Sequence, residues 1–333
     1  MRRGRCSWRR AWRVAEWLYE AGIGEARAAL VSDGRIVEAA IEIDDSGPRA
    51  GTVALARLVE TIVPRLRGRV TLDTGEDALL DGIPPGLSDG RTLLVRIVRE
   101  AIHEPGRNKL PKAIAAPDDS APQSGPDLLA RIEASEFPVR QCHAHEPDLL
   151  EAAGWSEVLD EAESGEIAFP GGALRLSVTP AMTLFDVDGS LPSAPLSLAA
   201  ATAIGAAIVR HGIGGSIGVD FPTMPDKAAR KAAGDALDAA LPLPFERTAI
   251  NGFGFLQIVR RRVRASLPEI LCEDPVGAAL RAALRRAERE ASPSPRRLQL
   301  PPALAARLAA RPDWLADLKR RTGRAIETGQ SES

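Results

Sequence analysis

Asp186 and Asp188, in the run TLFDVDGS at 183–190, set two carboxylates one residue apart at the end of an apolar stretch. An unpaired carboxylate is costly to bury, and such a stretch ordinarily closes on a neutral turn residue or on one acid capping the next helix. A third acid, Asp220, closes a second apolar stretch, GGSIGVDF at 214–221. Between them the Ala-rich run 196–212 is apolar nearly all round, which predicts a buried helix. Strand, helix and strand over 181–220 make a βαβ unit. Its crossover is right-handed and leaves the two strands parallel, so both end on the sheet edge where open α/β sheets bind ligands. With neighbouring strands about 4.8 Å apart, Asp186 or Asp188 comes close to Asp220. Carboxylates that close repel one another unless a cation lies between them. Mg²⁺, a hard ion usually held by one or two carboxylates with waters and phosphate, fits the set, with Mn²⁺ as the alternative. A plain turn at Asp188–Gly189 and a helix cap at Asp220 fit the same spacing, so these residues alone leave both readings open.

The rest of the chain must position those acids. Its 333 residues, 44% hydrophobic and 26% charged, suit several soluble domains, and a net charge of −2 announces no polyanionic partner globally. Arginines and acids are instead clustered apart. No uninterrupted apolar run approaches the roughly 18 residues of a membrane span, and the Arg-rich start lacks the apolar core of a secretory signal. No membrane association is therefore expected. Cys6, Cys142 and Cys272 are far apart and odd in number, which argues against a disulfide framework and for a reducing cytoplasm. Asp33-Gly34 between two β-rich runs predicts a hairpin. Short strand-like runs from 50 to 115, divided by Gly, Pro and Asp, predict a small barrel. Residues 116–126 read as a linker and 127–163 as short helices. An Arg-rich amphipathic helix is expected at 275–291.

The order LFDVDGS, then GGSIGVDFPTM, then INGFGFLQIVRRR at 250–262 resembles the signature of the ribonuclease E/G family. There a strand ending Asp-x-Asn is followed by a Gly-rich strand ending Asp-Phe, with a Met soon after. A run of the type Ile-Ser-x-Phe-Gly-Leu-Leu-Glu-Met-x-Arg-x-Arg comes next. FPGGALRLSVTPAM upstream and WLYEAGIGEARAALVSDGRIVEAAIE near the start resemble the family's hairpins, and the tail from 301 resembles its small C-terminal domain.

The resemblance implies a multidomain α+β and α/β protein. An S1-type OB-fold β-barrel (46–115) is inserted in an RNase H-like region (17–45 and 127–165), with a linker at 116–126. A DNase I-like α/β catalytic subdomain (166–270) and a helical C-terminal region (271–333) follow, behind a basic extension (1–16). It also implies a Mg²⁺-dependent endoribonuclease acting on single-stranded RNA. Asp186 and Asp220 become the metal ligands, and Asp188 stands where the family has Asn. The ion would polarise the phosphoryl oxygen and acidify a water. Arg260 and Arg262 would meet the RNA backbone, with Phe253 near the site. Arg107 and Lys109 would serve RNA on the barrel.

Several departures shape the expectations. No Phe, Trp or Tyr lies between Tyr19 and Phe137, so the barrel either grips RNA by charge, through Arg65, Arg67, Arg69, Arg96, Arg99, Arg107 and Lys109, or serves as a scaffold. No segment resembles the family's sensor of a 5′-monophosphate. RNAs bearing 5′-triphosphate and 5′-monophosphate should therefore be cut at equal rates, which a paired cleavage assay checks. Cys272 stands alone where the family has a Cys-Pro-x-Cys zinc link, so no structural zinc is expected and any homodimer would not be zinc-linked. The cluster Cys142, His143, His145, Glu146 and Asp148 is expected to be an ordinary surface loop, and His211 a helix C-cap. A catalytically weak RNA-binding homologue remains the alternative. A phosphohydrolase of small nucleotides lacks its usual Gly-rich phosphate loop here.

Overall fold

The computed structural model describes residues 15–104, 107–117, 119–290 and 296–330. The basic extension expected at 1–16 falls outside them except for its last two residues. The protein is a mixed α/β chain with a closed five-stranded barrel, a four-stranded sheet, a six-stranded sheet and two small two-stranded sheets.

Strands β1 (Ala15–Ala21), β2 (Glu25–Ser32) and β3 (Arg35–Ile43) form an antiparallel meander. Asp33 and Gly34 turn its second hairpin at φ 51° and 73°, the left-handed angles that a two-residue type I′ turn requires. The chain then leaves this sheet for the barrel: β4 (Val53–Val63), β5 (Arg67–Leu72), β6 (Asp77–Asp81), β7 (Thr92–Arg99), a side hairpin of β8 (Ile102–Glu104) and β9 (Arg107–Lys109), and β10 (Lys112–Ala115). The barrel closes in the order β10-β6-β5-β4-β7, with β10 also bonded to β7. Alternate residues fill it, among them Leu58, Val70, Ala78, Leu80, Val95 and Ala113. Aliphatic side chains suffice because a five-stranded barrel has little interior to fill.

After α1 (Leu128–Glu133), β11 (Val139–Gln141) returns to pair parallel with β1, so the barrel is an insertion within the first sheet. Helices α2 (Leu149–Ala152) and α3 (Trp155–Ser164) follow. That sheet is covered on both faces. Ala29, Ala39 and Ile41 pack with Trp155, while Trp17, Ala28 and Leu30 pack with Leu128 and Ile132.

The six-stranded sheet contains β12 (Glu166–Phe169), β13 (Gly172–Val178), β14 (Thr183–Gly189), β15 (Gly215–Asp220), β16 (Phe245–Arg247) and β17 (Phe255–Arg260), in the order β12-β13-β14-β15-β17-β16. Helix α4 (Ser193–Arg210) joins the parallel strands β14 and β15, and α5 (Lys227–Ala240) lies against it. Among the described residues α4 has the length and hydropathy of a membrane span, but the fold uses it as a core helix. Ala200, Ala201, Ile204, Ala207 and Ile208 are fully buried beside Phe185, Val219 and Ile258. It also touches β3 of the first sheet. Contact on opposite sides accounts for its apolar character all round.

The C-terminal region contains α6 (Leu267–Glu273), α7 (Pro275–Arg289), β18 (Arg296–Leu300), α8 (Pro302–Ala309), α9 (Pro312–Thr322) and β19 (Ile326–Gln330). It is not wholly helical as expected, because β18 and β19 pair in parallel. Each is a five-residue strand, too short for its period to show, and the partner lies two helices away. Leu280, Leu284, Leu298, Trp314, Leu318 and Ile326 give this region its own core.

Helix α7 ties that core to the first sheet. Arg281, Arg285 and Arg289 recur every fourth residue and so share one face. The Arg281 Nε lies 2.9 Å from Glu25 Oε2, and the Arg285 Nη1 2.8 Å from Glu25 Oε1. Arg289 bonds Glu20, which also takes a 3.1 Å bond from the buried Arg27. The loop expected at 142–148 to be an ordinary surface segment is part of this junction. Cys142 is buried, and Asp148 caps α2 while pairing with Arg27 at 2.8 Å and Arg289 at 3.2 Å. Burial works to raise the Asp148 pKa, but the charges of Arg27 and Arg289 and the Glu151 N–H outweigh it and hold the carboxyl below its usual range.

Candidate active site

Asp186 stands directly beside Asp220 in the parallel register of β14 and β15. Adjacent strands lie about 4.8 Å apart, so the two carboxylates can reach a common point above the sheet. Successive strand residues face opposite ways. Phe185, Val187 and Val219 enter the core under α4 and α5, which turns Asp186, Asp188 and Asp220 to the open face, where all three are exposed. Among the described residues neither the Asp186 nor the Asp220 carboxylate has a hydrogen-bond or ion-pair partner, and no group of three His, Cys, Asp or Glu that could hold a metal forms.

The third acid is drawn aside. Arg175 on β13 lies opposite Asp186 in the antiparallel register. Its Nη1 is 3.3 Å from Asp188 Oδ2 and its Nε 3.3 Å from Glu166 Oε1. These pairs are more than half exposed, so they contribute little stability and act chiefly to orient. The result is a two-carboxylate corner with a cation at its flank. Such a corner can share one hard divalent ion, leaving the ion's other positions to water and phosphate oxygens. Sequence reasoning passed over Arg175 and Glu166. The alternation in ALRLSV, with Leu174 and Leu176 core-facing, was the signal for Arg175.

Glycines shape the ground beside the pair. A Cβ on Gly218, two residues before Asp220, would lie 2.7 Å from Leu184 Cδ2 and 2.9 Å from the Phe255 ring. A bare backbone there lets both side chains close over the strand. Gly254 has φ +97°, and a Cβ on it would stand 2.1 Å from Phe221 O. The loop before β17 therefore abuts the exit of β15, where the Phe221 N–H bonds Gly254 O at 3.2 Å. Asn251 Oδ1 fastens that loop by accepting the N–H groups of Phe253 and Phe255.

The Phe253 ring projects from this loop with 86% of its surface exposed. Phe255 pairs with Asp220, so the ring stands at the acid-bearing edge. Phe253→Ala is expected to weaken binding of an unstructured oligonucleotide by about 1–3 kcal/mol, the value of one stacked base, with an unchanged melting temperature. Fluorescence anisotropy measures the first and calorimetry the second.

The arginines expected at the site stand elsewhere. Arg260 pairs with Gly215, at the opposite end of β17 from Phe255. At about 3.4 Å per residue that is roughly 17 Å of strand. Its parity is that of the buried Leu256 and Ile258, and its Nη1 donates to Ile213 O at 3.1 Å. Arg262 lies past the strand end and is bonded to Glu269. Neither is brought to the acid pair.

On the barrel the cations are largely matched. Arg67 lies 3.3 Å from Asp81, and Lys112 is 3.2 Å from the same carboxyl group. Arg69 lies 3.2 Å from Glu60 and 3.4 Å from Asp77. Arg99 donates to Leu110 O at 2.6 Å. Lys109 is on β9 and is not free of partners, and the side chain of Arg107 falls outside the described residues. Arg65 and Arg96 make no ion pair among the described residues.

Outside these regions, His211 caps α4 as expected and is fully buried, its Nε2 3.2 Å from Glu161 Oε2. Cys272 is an exposed free thiol. His143 and His145 stack in parallel at 5.6 Å. No protein-family model matches the chain, and no curated protein matches it.

Proposed function

We propose that this chain is a divalent-ion-dependent endoribonuclease of the ribonuclease E/G type, hydrolysing phosphodiester bonds in single-stranded RNA in the cytoplasm. In this reading the barrel is its S1-like module, the first sheet its RNase H-like region and the six-stranded sheet its DNase I-like part. The observation that carries the proposal is the register pairing of Asp186 with Asp220 on an open sheet face, with no partner for either carboxylate among the described residues. Asp186 and Asp220 would hold Mg²⁺ or Mn²⁺, and the ion supplies Lewis-acid polarisation of a phosphoryl oxygen. The chain's own groups do the rest. Arg175 offers a guanidinium to the phosphate and keeps Asp188 turned from the pair. Phe253 gives a base a surface to stack on.

A second reading, an RNA-binding homologue with little cleavage, is favoured by two features. Asp188 adds charge beside the pair, and Arg67, Arg69 and Lys112 of the barrel are matched by acids. The deciding assay incubates the purified chain with an end-labelled unstructured RNA across Mg²⁺ and Mn²⁺ titrations. Ion-dependent internal cuts support the enzyme. Binding without a cut at any ion concentration gives the protein to the second reading.

A further inference from the structure

A second region carries charge that the acid pair does not use. A groove of about 880 Å³ runs between β3 with α1 on one side and the segments 211–214 and 260–264 on the other. It opens on the side of the six-stranded sheet opposite Asp186 and Asp220, since Arg260 shares the parity of core-facing Leu256 and Ile258. Its volume is that of a small-molecule site.

One wall is cationic. A guanidinium has five N–H donors. Arg260 spends one on Ile213 O. The Arg264 Nε is buried without a hydrogen-bond partner among the described residues and forms a loose ion pair with Glu100 at 3.7 Å, while the side chain as a whole is 37% exposed. Arg261 is exposed and pairs with nothing among the described residues. Glu38 and Glu136 line the same groove; among the described residues Glu38 makes no ion pair with the three, but its charge acts on Arg260 and Arg264. Burial pulls the Arg260 and Arg264 guanidiniums below their usual range, with the Arg131 charge adding to the effect at Arg264; Glu38 opposes it at both, and Glu100 and Glu42 at Arg264. Arginines gathered on one wall can take an incoming oxyanion, above all one that Arg can grip through two donors.

The other wall is apolar and aromatic: Trp17, Ile132 and Phe137 line it. The Trp17 Nε1–H is buried and has no acceptor among the described residues, though the ring is only 5% exposed. An indole of that kind suits a flat polar heterocycle, which offers both a face and an acceptor. We propose that this groove is a binding site for a phosphorylated nucleoside, its phosphate against Arg260, Arg261 and Arg264 and its base against the Trp17–Phe137 wall. The unit comes either as a free nucleotide or as part of an RNA strand. The two sources share this chemistry, and the site is independent of the acid pair.

Isothermal titration in Mg²⁺-free buffer tests it, with ADP, inorganic phosphate and a short unstructured oligoribonucleotide as probes. The proteins are the wild type, Arg261→Ala, Arg264→Gln and Asp220→Asn. ADP binding that falls about tenfold or more in each arginine variant and is unchanged in Asp220→Asn supports the free nucleotide. The same pattern for the oligonucleotide alone supports the strand as the source. Inorganic phosphate should bind about tenfold more weakly than ADP because it forgoes the apolar wall. Thermal unfolding reports whether Arg264→Gln is folded, and Arg261→Ala, altered only at the surface, carries the test if it is not. The proposal is overturned if neither ADP nor oligonucleotide binds the wild type, or if both bind the arginine variants undiminished. Loss of binding in Asp220→Asn, or phosphate matching ADP, overturns it equally.

Discussion

Asp220→Asn and Asp186→Asn are each expected to lower Mg²⁺-dependent cleavage of an unstructured RNA by at least about a thousandfold, the scale on which a residue of a cooperating unit acts. The fold and the RNA affinity should be almost untouched. Both carboxylates are exposed, and neither has a partner among the described residues. Their removal therefore breaks no internal contact, and stability should move by no more than roughly 0.5 kcal/mol. What is lost is charge at a single point, because the register places Asp186 and Asp220 side by side and one neutral amide halves the negative charge available to a cation. Asp188→Asn is expected to behave differently. Its carboxylate pairs with Arg175, so the change frees a guanidinium and removes a charge that repels phosphate, and RNA affinity should rise. Single-turnover rates at saturating Mg²⁺, with anisotropy for affinity, separate these outcomes. A wild-type cleavage rate in Asp220→Asn would end the proposed mechanism.

Glu25→Gln is expected to destabilise the protein by about 3–5 kcal/mol, the cost of leaving buried charge unpaired. The Tm should fall on the order of 10 °C. Glu25 is 7% exposed, and its two oxygens serve Arg281 and Arg285, whose side chains are 3% and 12% exposed. With the carboxylate gone, two guanidiniums face a neutral amide in a junction closed to water. Burial already holds Arg285 below its usual range. The triple change Glu25→Leu, Arg281→Met, Arg285→Met removes every charge of the triad and should recover most of the loss, since a packed apolar replacement of a buried ion triad is close to neutral. Scanning calorimetry of both variants checks the pair of expectations. A triple variant as unstable as Glu25→Gln would mean that the side-chain shapes, rather than the unpaired charge, set the cost.

The two predictions lie on opposite sides of what could be read without the fold. The acid pair rests on a local pattern. A strand, an all-round apolar helix and a second strand of suitable length leave the chain little choice but a parallel crossover, and β14, α4 and β15 form it. The Asp33–Gly34 turn is equally local, because its positive φ angles belong to the residues themselves. The Glu25 triad could not be read in this way. Arg281, Arg285 and Arg289 make a regular stripe on an amphipathic helix, and such a stripe usually faces water. Here it faces inward because Glu20, Glu25 and Asp148, from the opposite end of the chain and its middle, supply the counter-charge.

Arg260 and Arg262 are kept from the acid pair on the same ground. Which way a strand residue points is a property of the sheet. Once Phe255 pairs with Asp220, the two-residue period sends Arg260 to the helix side. The barrel's cations repeat the point, since Arg67 and Arg69 meet Asp81 and Asp77 only when β5 lies beside β6. By itself the sequence determined the periods, the turns and the order of elements, because those follow from backbone sterics and side-chain alternation within a few residues. The tertiary structure alone decided which charges are matched, which are left over and which way a strand's faces point. Those depend on partners distant in the chain, which no local pattern contains.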